Sequence, residues 1–243
     1  MKFAFSKCQI CGKDTHQEYF PTDTKCDVCG KNITTNYVCP DGHHVCNDCK
    51  FEEAFNEAKI VCMNVKSGNP LDIAEIIMDT TNLSLLGCKH YLLSALCVYT
   101  AYKNSGGKVN NFEKGLYAIK DRVQKVQTSM CKLGGFCGIP LSMGGAFQAT
   151  EVEFKDIAKV TGFANKISGY CMSKMINPNF EGSPDCCIRN SAICIVEASK
   201  FLINNYWVDI DLPLMMKCKY ANENPKCNRE KCRLYYGIKT EKL

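Results

Sequence analysis

Cys8-x2-Cys11, Cys26-x2-Cys29 and Cys46-x2-Cys49, with Cys39, His43 and His44 lying between the last two pairs, put nine metal-binding side chains into the first fifty residues. A C-x2-C turn lets two thiolates converge on one ion, and two such pairs complete a tetrahedral shell. Seven cysteines and one histidine make eight ligands, so the spacing predicts two ions. Zinc is the expected metal for closed thiolate-rich shells, and a rubredoxin-like iron in the first site is the competing reading. Gly12 and Gly30 follow two of the pairs, where the backbone must turn around the metal, and Asp41-Gly42 turns the chain ahead of the histidines. The ligand pairing stays open between two schemes. In the sequential one, Cys8, Cys11, Cys26 and Cys29 hold one ion and Cys39, a histidine, Cys46 and Cys49 the other; in the second, the pairs interleave as in cross-brace fingers. So small a head has little apolar core, and its metals are expected to supply its folding energy.

The chain has nineteen cysteines against four histidines, and the later cysteines cluster at predicted helix starts. Cys137 follows the glycine-rich run that begins at Cys131, and Cys186-Cys187 open a long helical pattern. Free backbone N–H groups and the positive helix end stabilise thiolates at such positions. The tail adds Cys218, Cys227 and Cys232 at spacings of x8 and x4. With a fourth thiolate from elsewhere these three suit a four-iron, four-sulfur cluster, and zinc would use the same set. Cys131, Cys137, Cys186, Cys187, Cys218, Cys227 and Cys232 therefore form one candidate cofactor centre, with His90, Cys137, Cys187 and Arg189 as the candidates for chemistry. His90 lies in an apolar helix and would serve as acid, base or ligand, or else as a hydrogen-bonded core histidine. Arg189 would pair with an anion or lower a neighbouring thiol pKa, or else make a surface ion pair. Any single body cysteine can also be a small buried hydrophobe.

These groups need a scaffold, and past residue 50 the sequence reads as amphipathic helices at 51–65, 70–78, 88–103, 111–127, 142–149, 155–175 and 187–206. Strands are not supported outside the head. The expected fold is mainly α: a small zinc-ribbon or treble-clef-like head over 1–50, and an all-helical, bundle-like, cysteine-rich body over 51–243 with a metal-binding tail. A hydrophobic fraction of 46% over 243 residues fills a core without disulfides, and the odd cysteine count leaves at least one thiol unpaired. The N-terminal MKFAFSKCQICGK has no apolar run ahead of a cleavage site, so a reducing cytoplasm is expected. No apolar stretch approaches the length of a membrane span. The net charge of +5 is thinly spread and lacks basic-aromatic interleaving, which argues against nucleic acid as a partner. Walker, dinucleotide and hydrolase motifs are absent.

The stretches YVCPDGHHVCNDC (37–49), GCKHYLLSALCVYTAYKNSGG (87–107), CKLGGFCGIPLSMGGAF (131–147) and CCIRNS (186–191), with the tail over 218–236, carry a resemblance. The chain resembles a cysteine-rich family of uncharacterised proteins found in anaerobic bacteria and methanogenic archaea. That resemblance implies anaerobic cofactor, sulfur or methyl metabolism without naming a reaction or a small-molecule substrate. The expectation is a cytoplasmic metalloprotein with zinc in the head and an iron–sulfur or other thiophilic centre in the body. The alternatives are a zinc-stabilised accessory protein docking a companion enzyme, and a nucleic-acid-binding zinc protein.

Overall fold

A computed structural model of the chain describes residues 7–81, 87, 89–126, 131, 135–150, 157–176, 182–224 and 227–240. By its contacts the chain divides into two compact units, Met1–Glu53 and Ala54–Leu243. In the first, the threonine-, isoleucine- and tyrosine-bearing stretches form β1 (His16–Lys25) and β2 (Asn32–Val38), an antiparallel hairpin whose turn is the second C-x2-C pair. Register slips between Gln17 and Thr22, so residues 18–21 bulge out of the ladder. Tyr19 and Phe20 ride on that bulge, 88% and 73% exposed, their rings edge to face at 4.9 Å. Among the described residues of this unit the buried apolar set is Cys8, Cys26, Cys39, Val45 and Cys46. Four of those five are cysteines, so sulfur occupies the place of a core.

Helix α1 (Asn47–Asn64) runs across the division in the chain. It begins before residue 51, the start that periodicity predicted, because Cys49 falls within its first turn. The body continues with α2 (Pro70–Thr80), α3 (Lys89–Asn104), α4 (Phe112–Val123), α5 (Ile139–Thr150), α6 (Ile157–Met175), α7 (Cys187–Tyr206) and the single turn α8 (Arg233–Tyr236). Local chemistry sets several starts. The Asn69 side chain accepts from the Leu71 and Asp72 N–H groups with Pro70 in the first helical position, and Asn111 accepts from the Lys114 N–H.

Every residue of α3 from His90 to Tyr102 is buried, as expected of a helix apolar on all sides, and α2, α4, α5 and α7 pack around it. A Cβ on Gly115 would strike the Tyr99 ring, so the glycine lets α4 approach α3 closely. Phe147, Phe163, Phe201 and Tyr206 join α5, α6 and α7 in one aromatic cluster, with Phe147 and Phe163 stacked at 5.7 Å.

The body is not wholly helical. A two-residue pair, β3 (Met215–Met216) and β4 (Ile238–Lys239), fastens the tail. Four residues are too few to leave an alternating pattern, which is why the sequence predicted no strand there. Among the described residues no helix is long and apolar enough to cross a membrane.

Candidate metal centres

The two N-terminal knuckles are built alike. Cys8 N–H donates to Lys13 O at 2.8 Å and Gly12 N–H to Cys8 O at 2.8 Å; Cys26 N–H donates to Lys31 O at 3.0 Å and Gly30 N–H to Cys26 O at 2.8 Å. Gly12 and Gly30 share a φ of +72°, the left-handed region that a side chain resists. The knuckles do not combine with each other. Cys8, Cys11, Cys39 and His43 form one group and Cys26, Cys29, Cys46 and Cys49 another, each with its ligand atoms within 4.8 Å of one another. The interleaved scheme therefore holds. Cys26–Cys49 and Cys29–Cys46 sulfurs stand 3.8 Å apart. A metal–thiolate bond of about 2.3 Å gives a tetrahedral edge of about 3.8 Å, which these two separations match. In the first, Cys39 Sγ lies 3.4 Å from Cys11 Sγ and 3.8 Å from His43 Nδ1.

Charge is arranged on the same plan. Lys13 pairs with Asp41 at 2.7 Å and Lys31 with Asp48 at 3.2 Å, so each knuckle lysine reaches the loop or helix start that completes its own ligand group. The doubled Cys-x2-Cys-Gly-Lys was visible in the sequence and is the signal that sequence reasoning missed. The Cys26 thiol is held down at about 6, chiefly by the Cys46 N–H at 3.3 Å, against burial. Burial pushes Cys8 up, but the N–H groups of Cys11 and Ile10 outweigh it and hold the thiol at about 7. Cys11 accepts from the Lys13 N–H yet is pushed up to about 11 by burial and by Cys39 and Cys8. In each group backbone N–H groups thus favour the thiolate of one cysteine, the form that binds a metal. His44 stands outside both groups. Its backbone braces the second knuckle, its N–H donating to Asp27 Oδ2 at 2.7 Å and its carbonyl accepting from the Asp27 N–H at 2.8 Å.

In the body, Cys186 is the residue that caps α7: its sulfur accepts from the Arg189 N–H at 3.5 Å and from Asn224 Nδ2 at 3.3 Å. Cys218 packs against both the cluster around Cys186 and Tyr220 and the one around Cys232 and Leu234. Cys227 Sγ accepts from the Arg229 N–H at 3.3 Å, and Cys232 N–H donates to Arg229 O at 2.7 Å. The tail thereby brings Cys218, Cys227 and Cys232 to the start of α7. Arg189 is buried beside Cys186 and Cys232, donating to Asn190 Oδ1 at 2.8 Å and Met175 O at 3.2 Å. Burial lowers its pKa, and the charges of Cys232, Cys186 and Cys194 oppose that. Among the described residues only the two head groups bring three or more such ligand atoms within 4.8 Å, so these four thiols stand further apart than ligands of one ion. Beside Cys218 lies a cavity of about 250 Å³ lined by Leu71, Met78, Leu93, Ile188 and Met216.

Cys187 is engaged elsewhere. Its sulfur accepts from the Gly87 N–H at 3.2 Å, and Cys137 Sγ accepts from Asn190 Nδ2 at 3.8 Å. Cys131 is exposed, and Cys88 lies outside the described residues. The helix-start donors that the sequence led us to expect are present, but burial outweighs them. The thiols of Cys137 and Cys186 are raised and that of Cys187 is pushed up to about 11, as is that of Cys218. Free thiols of this kind are poor nucleophiles at neutral pH. His90 is fully buried, its Nδ1 3.1 Å from Ser191 Oγ. Cys62, Cys97, Cys171 and Cys194 are buried in the apolar core. Within the candidate set expected from sequence, Cys186 and Cys232 lie beside Arg189 with Cys218 and Cys227 near them, Cys137 is held by Asn190, and Cys187 takes the Gly87 N–H.

No curated protein and no solved structure matches the chain. One family model does, over residues 58–235, and its description is Family of unknown function (DUF5714).

Proposed function

The chain belongs to that family, and from this premise we propose that it is a thiolate metalloprotein, with zinc in the head and a four-iron, four-sulfur cluster held by Cys186, Cys218, Cys227 and Cys232. The reading gives the protein a part in anaerobic redox, sulfur or methyl-group chemistry, and the bound cluster would supply electron or group transfer there. The observation that carries it is the buried Arg189 beside Cys186 and Cys232, to which the tail also brings Cys218 and Cys227. A cluster ligated by four thiolates is anionic, and a buried guanidinium offsets that charge. Asn224 and the Arg229 N–H donate to ligand sulfurs at 3.3 Å, which together with the arginine raises the reduction potential. The apolar cavity beside Cys218 offers a place for a small substrate next to the centre.

The head reads as treble-clef-like, with a knuckle, a hairpin and a helix start that together hold the second ion. The family match begins at residue 58, beyond its last ligand at Cys49, so the head is assigned a structural and docking task.

On this reading, full-length protein purified without oxygen carries about two zincs, and Cys186→Ser or Cys232→Ser removes about four irons and four sulfides per chain while leaving the zinc. Colourless wild-type protein with zinc and no sulfide would sink the proposal. The accessory reading would then stand, and one observation favours it: Tyr19 and Phe20 are presented together to solvent on the hairpin bulge. Aromatic pairs of this kind anchor protein partners.

A further inference from the structure

We propose that the cavity beside Cys218 binds a small neutral alcohol or phenol, apolar over most of its surface, whose hydroxyl donates to Ser191. The inference rests on the reading above only in calling that molecule a substrate, and neither Ser191 nor His90 is a ligand of the cluster.

Two helices shape the cavity with the same pattern. Leu71, Ala74, Glu75 and Met78 of α2 line it, and so do Ile188, Ser191, Ala192 and Ile195 of α7. Both sets run i, i+3, i+4, i+7, so each helix turns one continuous stripe toward a shared space. Leu93 of α3 and Met216 of β3 add to the apolar lining. Lys219 bridges Glu75 at 2.9 Å and Asp79 at 2.7 Å, and Tyr220 Oη donates to Asp79 Oδ1 at 3.0 Å. These contacts tie the tail wall of the cavity to its α2 wall. The lining sets two carboxylates, Asp72 and Glu75, against two lysines, Lys217 and Lys219, so it offers no excess charge to an ionic guest. Burying an unpaired charge among such side chains is costly, which favours a neutral one.

Ser191 is the polar member of the α7 stripe. It is buried, and its Oγ lies 3.1 Å from Nδ1 of the fully buried His90. A serine hydroxyl has one donor and two acceptor sites. Whether the serine donates to the histidine or accepts from it, Oγ keeps an acceptor site for a guest hydroxyl. An apolar pocket with one placed polar group is the usual form of a small-molecule site. Size sets the rest: a cavity of about 150 Å³ is enough for benzene, so about 250 Å³ takes a substituted ring. Met78 and Met216 supply adaptable walls.

The test titrates the full chain, purified without oxygen, with phenol and with toluene, which are close in size and differ in the hydroxyl. The methyl resonances of Met78 and Met216 report binding. Both compounds are expected to move both methyls in wild type. Ser191→Ala is expected to weaken phenol about tenfold and to leave toluene within about twofold, toluene binding being the check that this variant folds. Ala192→Phe, which fills the cavity, is expected to abolish both. The inference is overturned if neither compound moves those methyls in wild type, if Ser191→Ala leaves the ratio of phenol to toluene affinity unchanged, or if binding survives Ala192→Phe. Iron and sulfide are measured on the same samples. Serine-dependent phenol binding in protein without iron upholds this inference and removes the four-cysteine reading, and full iron and sulfide without that dependence does the reverse.

Discussion

The head and the body use the same amino acid for opposite ends. Among the described residues of the head, cysteine is nearly all of the buried apolar matter, with Val45 accompanying Cys8, Cys26, Cys39 and Cys46 in the interior. In the body, α3 is buried along thirteen consecutive residues, from His90 to Tyr102, and the structure has a core of ordinary hydrophobic side chains. There Cys62, Cys97, Cys171 and Cys194 pack as small hydrophobes, and Cys186 and Cys232 are buried in clusters shared with ordinary apolar side chains. A head whose interior is mostly cysteine and a body with an ordinary apolar core should answer differently to the same perturbations.

The largest contrast is expected on metal removal. Apparent binding energies of structural zinc run to about 10–16 kcal/mol at neutral pH, far beyond what so small an apolar core can replace. Chelation should therefore abolish amide protection in β1 and β2 while the amides of α3 stay protected, which hydrogen exchange would read residue by residue. Surviving protection in the hairpin would break the comparison.

Next comes the reverse experiment. Phe147→Ala empties the centre of the α5–α6–α7 aromatic cluster and should cost about 3–5 kcal/mol of body stability with the zinc content unchanged. Thermal melts with metal analysis would show it, and loss of zinc in that variant would contradict the separation.

A smaller effect is expected at Gly30, whose φ of +72° penalises any side chain, although a Cβ there would meet nothing. Gly30→Ala should cost about 1–2 kcal/mol, close to tenfold in zinc affinity, with no change in body stability. Competition with a chromophoric chelator measures it.

The smallest belongs to the body surface, where Lys219 sits 2.7 Å from Asp79 and 2.9 Å from Glu75. The lysine holds the Asp79 carboxyl below its ordinary range, so the pair stabilises the fold above the unfolded carboxylate pKa, and that contribution is lost as pH falls through the folded one. Both partners are well exposed, so solvent screening limits the effect to less than about 1 kcal/mol. Asp79→Asn should flatten that part of the acid melt and leave the rest unchanged.

What the sequence disclosed follows the range over which each interaction acts. Helices were legible because periodicity and caps are local: Asn69-Pro70 and Asn111 mark two starts, and the pattern over 187–206 matches α7 from end to end. The ligands of the head were legible too, since C-x2-C is a short motif. Their pairing was not, because it depends on contacts as distant as Cys8 with Cys39 and Cys26 with Cys49. The choice of His43 over His44 turned on the direction of one side chain after the Asp41-Gly42 turn. Nor did the sequence show that Cys186 and Cys187 serve different neighbours. A capping residue in extended conformation and the first residue of a helix point apart, and neighbouring positions on a helix diverge by about 100°.

That divergence makes α7 a mooring as well as a scaffold. From two adjacent residues it ties one sulfur to Asn224 near the tail and the other to the Gly87 N–H just ahead of α3. Parts of the chain far apart in sequence are thereby anchored to a single turn.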